Sequence, residues 1–300
     1  MQRCRCFIEN SLLVLYIDPV SASMLPPKKS LGQNFLRDEN VARNIIDSLN
    51  LRADDVVVEI GPGQGALTKY LATKCSRLVA IEVDERAVRL LHDTFAESIE
   101  VVHADVLTVS LSTMFHKEKR RLRVVGNIPY NITSEILFWL FEHHDAVEDA
   151  TLMIQLEVAR RFVAKTETKD YGILSVLLEY YAQPEFLFKV SRNSFFPKPE
   201  VDSAVVRLRF REKLWECDRE LLTAIVRSTF GKRRKTLRNG LRYMGFDSTH
   251  LDTVAFDLTR RPEELTLDEF LDLAELLAPY RGEIGKGAFD AGKARMRKKH

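Results

Sequence analysis

The sequence predicts an α/β fold: an open, mainly parallel sheet covered by helices on both faces, followed by a small all-helical domain. From residue 38 onward, short apolar runs alternate with segments of helical period, the pattern of repeated strand–helix units. The first of these runs are nearly continuous rather than alternating, which suits parallel strands buried on both sides. Beyond Glu216 the strand signals stop, while helical patterns continue to about Tyr280.

The elements follow in order. Residues 38–50, "DENVARNIIDSLN", place apolar side chains at 41, 45, 46 and 49, a helical stripe with Asp38 as its N-cap. "DVVVEI" (Asp55–Ile60) is the first buried strand, "ALTKYLATKC" a helix, "LVAIEV" (Leu78–Val83) the second strand and "ERAVRLLHDTFA" a helix. "IEVVH" and "LRVV" (Leu122–Val125) are the third and fourth strands, and "TSEILFWLFEH" is a helix that Thr133 or Ser134 can cap. Its Phe138, Trp139 and Phe141 belong to the core. "TLMIQLE" (Thr151–Glu157) is the fifth strand. After Tyr171 come a helix and two better-alternating runs, "EFLFKV" and "SAVVRLRF", which suit an antiparallel edge hairpin. A domain boundary is expected near 212–216.

With 300 residues, 45% hydrophobic and 29% charged, the chain has the composition of a soluble globular protein with ample core. Cysteines at 4, 6, 75 and 217 form no CxxC pair, so no disulfide framework is expected and a reducing, cytoplasmic compartment fits best. No run approaches the roughly 20 apolar residues of a membrane span. Residues 1–23 have a basic start and a short apolar run, too short and too closely flanked by Glu9 and Asp18 for a secretion signal. They read as a leader upstream of a natural start at Met24. The domains expected are then 24–214 for the sheet, 215–282 for the helices and 283–300 for a basic tail. Net charge is only +2, but it is segregated: Lys232 to Arg242 holds six basic residues and no acid, and Glu263 to Glu275 six acids and no base. A local phosphate-binding face on a nearly neutral protein is therefore expected. The histidines of "HHD" (143–145) read as a solvated helix end, and no metal site is expected.

The motif "VEIGPGQGAL" (Val58–Leu67) follows a strand and opens a helix, so Gly61, Gly63 and Gly65 let a ligand approach the backbone at the carboxyl edge of the sheet. Gln64 and Gly65 read as variable positions of the loop. Glu82 ends the next strand and can accept hydrogen bonds from ribose hydroxyls. These features also satisfy a dinucleotide fingerprint, so the glycines alone do not separate NAD from other nucleosides. Asp105, after the third strand, can accept from an adenine amine. "NIPY" (127–130) follows the fourth strand, so these groups converge on one crevice. A dehydrogenase has no evident use for Asn-Ile-Pro-Tyr beside a ribose; a methyltransferase acting on an exocyclic amine has.

"GQNFL" (32–36), "EIGPGQGALT", "IEVD", "HADVL", "GNIPYNITSEI", "FFPKPEVDSAVVRL" and "RRKTLRN" fall in the order found in ribosomal RNA adenine dimethyltransferases, and over residues 28–280 the chain resembles the bacterial small-subunit, KsgA-type branch. The resemblance implies a Rossmann-like S-adenosylmethionine-dependent methyltransferase sheet. It also implies transfer of four methyl groups to N6 of two adjacent adenosines in the 3′-terminal hairpin loop of 16S rRNA, within the small ribosomal subunit or its precursor, by a monomer. It assigns Asn34, Leu36, Gly61, Gly63, Glu82, Asp105 and Asn127 to S-adenosylmethionine.

The chemistry gives "NIPY" a purpose. Adenine N6 is a poor nucleophile because its lone pair is delocalised into the ring. Hydrogen bonds accepted from N6–H by the Asn127 side chain and by a backbone carbonyl near Pro129 localise that pair. Tyr130 can stack on the base, and Phe195 or Phe196 can cover its other face. Lys232, Arg233, Arg234, Lys235 and Arg238, read as one basic helix within Phe230–Leu241, are expected to meet the RNA backbone, with Lys28 and Lys29 as arm residues in the same role. Two other readings share these features. One is a large-subunit rRNA dimethyltransferase of the macrolide-resistance type; the other is a non-catalytic ribosome-assembly or transcription factor that keeps the fold for RNA or DNA binding.

Overall fold

The computed structural model describes residues 25–231 and 235–284. The expected leader, Met24, Lys232, Arg233, Arg234 and the tail from 285 lie outside the described residues. Nine strands occur among the described residues: β1 (Phe35–Leu36), β2 (Val56–Ile60), β3 (Arg77–Glu82), β4 (Glu100–His103), β5 (Leu122–Asn127), β6 (Val147–Gln155), β7 (Ala182–Val190), β8 (Phe195–Phe196) and β9 (Ser203–Phe210). The main sheet has the order β4-β3-β2-β5-β6-β9-β7, and β1 pairs with β8 separately. Strands β4 to β6 in that order are mutually parallel, and β9 runs antiparallel to both β6 and β7.

Eleven α-helices occur among the described residues: α1 (Glu39–Leu49), α2 (Thr68–Leu71), α3 (Glu85–Phe95), α4 (Leu111–Glu118), α5 (Thr133–Glu142), α6 (Leu156–Phe162), α7 (Ile173–Tyr181), α8 (Arg219–Phe230), α9 (Leu237–Met244), α10 (Ser248–Thr253) and α11 (Leu267–Leu277). Adjacent residues of one strand feed opposite cores, as the strand period requires. Val57 packs with Ile45, Ile46 and Leu91 from α1 and α3. Val58 packs with Leu111, Leu137 and Leu178 from α4, α5 and α7. Leu221, Ile225 and Phe270 of the C-terminal helices join that second core, so the helical segment is built onto one face of the sheet domain.

Several element expectations are corrected. The fifth strand begins at Val147 and stops at Gln155, because Leu156 and Glu157 already open α6. The two alternating runs do form an antiparallel hairpin at one edge of the sheet, β7 outermost and β9 joining it to β6. Neither Thr133 nor Ser134 caps α5; Ile132 stands at that position without a side-chain bond. The Thr133 hydroxyl instead donates back to the carbonyls of Pro129 and Tyr130, each at 3.4 Å, and tightens the turn after β5. Asp38 does cap α1, accepting from the N–H groups of Asn40 and Val41.

This topology positions a site. From β2 the chain proceeds outward to β3 and β4, then crosses back to β5 on the other side of β2. The carboxyl ends of β2 and β5 therefore flank the crevice where strand order reverses, the usual ligand position in such sheets.

Candidate functional site

A cleft of about 1030 Å³, open to solvent, occupies that crevice. Asn34, Leu36, Gly61, Gly63, Glu82, Asp105, Asn127, Pro129 and Tyr130 all line it.

The glycine loop forms its floor. Gly61 and Gly63 sit at φ +62° and +56°, where a side chain is strained, and a Cβ on Gly63 would lie 3.1 Å from the Phe35 ring. Gly65 is not a freely variable position: it has φ +81°, and a Cβ there would meet Phe95 at 2.9 Å. Glu82, only 5% exposed, folds under this loop. Its carboxylate accepts from the N–H of Gly63 at 3.0 Å, Val83 at 2.9 Å and Asp84 at 2.8 Å. Burial raises its pKa, opposed by those three N–H groups. Glu82 thus shapes the loop besides facing the cleft, a structural role that its place at a strand end did not reveal. Asp105 accepts from Leu107 N–H at 3.0 Å, which orients its carboxylate at the cleft edge.

Glu59 also lines the cleft and had no assigned role in the sequence. It is 2% exposed and accepts from the Thr68 hydroxyl at 2.7 Å. Burial, with the Glu82 charge nearby, pushes its pKa up to about 8. The available signal was a single carboxylate inside the apolar run "VVVEI".

At the other wall, Asn127 ends β5, and the following Ile128 N–H completes the ladder to the Met153 carbonyl at 3.0 Å. The Asn127 Nδ2 donates to the Asn34 carbonyl at 2.9 Å. A carbonyl only accepts, so the amide orientation follows from this bond: nitrogen toward Asn34, Oδ1 away from it. The Pro129 carbonyl is taken by the Ile132 N–H at 3.2 Å and by Thr133. Tyr130 is half-buried, its hydroxyl 2.7 Å from the Ser203 Oγ, and burial raises its pKa.

The two phenylalanines separate. Phe195 is 5% exposed and packs with Leu36 and Val205, so it is a core residue and not a base-stacking surface. Phe196 is 46% exposed, with the Arg37 guanidinium 4.0 Å over its ring. The single "basic helix" over Phe230–Leu241 is corrected as well: among the described residues α8 ends at Phe230, Lys235 and Thr236 lie outside any helix, and α9 opens at Leu237. Lys235 is exposed there, whereas Arg238 on α9 is ion-paired with Asp252 at 2.7 Å. Lys28 is not a free arm residue, because it meets Asp84 at 2.9 Å. Among the described residues no helix is long and apolar enough to cross a membrane.

Comparison with known proteins agrees with this architecture. The family model described as ribosomal RNA adenine dimethylase matches residues 25–278. A protein of Chlorobium phaeobacteroides (strain DSM 266) called ribosomal RNA small subunit methyltransferase A is 43% identical over 253 residues, 84% of this chain and 91% of that protein. A protein of the same name from Acinetobacter baylyi is 43% identical over 256 residues, 84% of this chain and 93% of its own. Among solved structures, a dimethyladenosine transferase from Plasmodium falciparum matches in fold at TM-score 0.71, with 24% identity over 83% of this chain and 98% of that one. The 23S rRNA methyltransferase ErmE matches at TM-score 0.60, with 32% identity over 82% of this chain and all (100%) of that one.

Proposed function

The chain belongs to the ribosomal RNA adenine dimethylase family, and we propose that it is the small-subunit enzyme, dimethylating N6 of two adjacent adenosines in the 3′-terminal hairpin loop of 16S rRNA. The observation that carries this reading is the Asn127 amide. Anchored through its nitrogen to the Asn34 carbonyl, it keeps Oδ1 as the end available to a base amine.

The residues of the cleft fit S-adenosylmethionine. The glycine loop allows close backbone approach, and Glu82 and Asp105, both lining the cleft, would accept from the ribose hydroxyls and the adenine amine. Asn34 and Leu36 close the opposite wall. When bound, S-adenosylmethionine supplies an electrophilic sulfonium methyl.

The chain's own residues do the rest. Asn127 Oδ1 and the carbonyl of Ile128, which precedes a residue with no N–H, accept from the target N6–H groups and localise its lone pair. Tyr130 supports one face of the base and Phe196 the other, each stacking contact worth about 1–3 kcal/mol. Alignment then supplies most of the rate, as in other displacements between positioned partners. The alkylated nitrogen is acidic enough to release its proton to water, so no side chain is assigned as a general base. The basic segment around Lys235 contacts the RNA backbone, and the protein acts in the cytoplasm, as a monomer, on the small subunit or its precursor.

The large-subunit alternative is less favoured, since identity to the small-subunit proteins is 43% against 32% to ErmE. The intact glycine loop and Asn127–Tyr130 turn weigh against a non-catalytic role. The deciding experiment incubates the protein with unmethylated small subunits and labelled S-adenosylmethionine and maps the label. Label in large-subunit RNA, or none, would overturn the reading.

A further inference from the structure

The segment Leu25–Leu36 is a strap that crosses the rim of the cleft, and it is held at two points. At the first, Asp84 gathers side chains from both sides of the rim. It accepts from Lys28 Nζ at 2.9 Å, Gln33 Nε2 at 3.0 Å and Arg86 Nη2 at 2.6 Å. Arg86 in turn donates through Nη1 to the Pro26 carbonyl at 3.0 Å, and Gln64 of the glycine loop donates to the Leu25 carbonyl at 3.1 Å. At the second point, β1 pairs with β8 and the Asn34 carbonyl receives the Asn127 amide at 2.9 Å. Between them, Leu31 to Leu36 form a wall of the cleft.

Two features set Asp84 apart from an ordinary helix cap. It does cap α3, accepting from the Arg86 N–H at 3.3 Å, but that role requires neither Lys28 nor Gln33. Its side chain is 0% exposed, yet the two cations that reach it are partly solvated, Lys28 at 44% and Arg86 at 31%. The Arg86 guanidinium, followed by Lys28 and Gln33, holds the carboxyl well below its ordinary range. A buried anion gripped from the strap and from α3 is a clasp whose loss releases one end of the cleft wall. Because the Asp84 N–H also bonds Glu82, the clasp and the Glu82 carboxylate share one turn.

We propose that Asp84 is a positioning residue: it fastens the strap Leu25–Leu36 over the cleft, and through Asn34 it fixes the orientation of the Asn127 amide. The proposal rests on the methyltransferase reading, since it supposes that this cleft takes S-adenosylmethionine.

The test compares the parental protein with Asp84→Asn, which keeps the size and cap of the side chain but removes the charge, and with Lys28→Gln, which alters only an exposed strap residue. Three readings are taken: S-adenosylmethionine affinity by calorimetry, hydrogen exchange of the 25–36 amides without ligand, and the split between KM and kcat. Expected for Asp84→Asn are faster exchange confined to the strap, affinity lower by about tenfold, and a fall in kcat that persists at saturating cofactor. Lys28→Gln should move the first two in the same direction by less. The parental affinity should weaken with rising salt more steeply than that of Asp84→Asn. A folded Asp84→Asn with parental affinity and parental strap exchange overturns the proposal. Should Asp84→Asn not fold, unchanged exchange and affinity in Lys28→Gln overturn it instead. A parental protein that binds no S-adenosylmethionine overturns the methyltransferase reading itself, a distinct result.

Discussion

The Asn127 side chain donates to the Asn34 carbonyl at 2.9 Å, and this one bond decides which end of the amide is left for a ligand. Two substitutions therefore separate its roles. Asn127→Ala removes both the anchor and the acceptor. Asn127→Asp keeps an acceptor but sets a carboxylate oxygen against the Asn34 carbonyl. Both are expected to slow single-turnover methyl transfer by roughly ten- to a hundredfold, as losing one well-placed hydrogen bond does. Binding to unmethylated subunits should persist, since it depends on remote basic residues. Parental rates for Asn127→Ala at saturating cofactor and subunits would remove this residue from the mechanism.

Glu82 is tied to the glycine loop as well as facing the cleft. Glu82→Ala leaves the N–H groups of Gly63, Val83 and Asp84 without their acceptor, so it should lower stability by about 1–3 kcal/mol in addition to weakening S-adenosylmethionine binding. Denaturant melts and calorimetry on the same preparation read the two effects. An unchanged midpoint would show that the three bonds hold nothing; an unchanged affinity would take Glu82 out of the cofactor site.

The buried Glu59 makes stability depend on pH. Its pKa rises from an ordinary 4.5 to about 8 in the folded chain, first through burial. The folded state then holds a proton that the unfolded state releases, and stability is fully present below about 4.5 and lost as pH climbs to about 8. The slope within this window approaches about 1.4 kcal/mol per pH unit. Glu82, raised in the same sense, adds to it. Glu59→Gln keeps an acceptor for Thr68 and has no proton to lose, so its stability should fall less between pH 5 and pH 9. Parallel stability curves for variant and parent over that range would show that Glu59 is ionised throughout.

The basic segment divides by what each side chain meets. Replacing Arg233, Arg234 and Lys235 together with Ala should weaken subunit binding and lower its salt dependence by about 0.7–0.9 log units for each phosphate no longer neutralised. Arg238→Ala is expected to leave that slope unchanged, because its charge faces Asp252 at 2.7 Å, and to cost at most about 1 kcal/mol of stability. A salt slope that responds to Arg238 and ignores the triple variant would reverse this assignment.

What could be read before the structure follows from distance along the chain. Gly61, Glu82, Asp105 and Asn127 are legible because parallel strands end on one edge, so residues far apart in sequence converge by topology alone. The loop after β5 is legible because Pro129 cannot extend a ladder. The Asp84 clasp is not, since its partners Lys28 and Gln33 lie 56 and 51 positions away and no local pattern marks them. Likewise "FF" carries no sign of which ring faces inward; pairing of β8 with β1 in an antiparallel register decides it. The basic run reads as a helix because Lys and Arg are good helix formers. The break before α9 depends instead on tertiary bonds, such as that from the Leu237 N–H to the Arg260 carbonyl at 2.9 Å.

Tyr130 is the residue where the structure most changes an expectation. As a stacking ring alone it would tolerate Phe, since the ring is what meets the base. Its hydroxyl, however, lies 2.7 Å from the Ser203 Oγ, and Ser203 is 0% exposed. Tyr130→Phe removes one partner and leaves a buried hydroxyl unpaired, so it should cost about 1–3 kcal/mol of stability. The ring also loses its tether to β9, and methyl transfer should slow severalfold while cofactor affinity holds. Ser203→Ala should cost a similar amount, and Tyr130→Phe with Ser203→Ala less than the two summed, because with both hydroxyls gone neither is left unsatisfied. Chemical denaturation of the four proteins gives the coupling energy directly. If the two single losses simply add, the hydroxyls do not depend on each other, and Tyr130 acts through its ring alone.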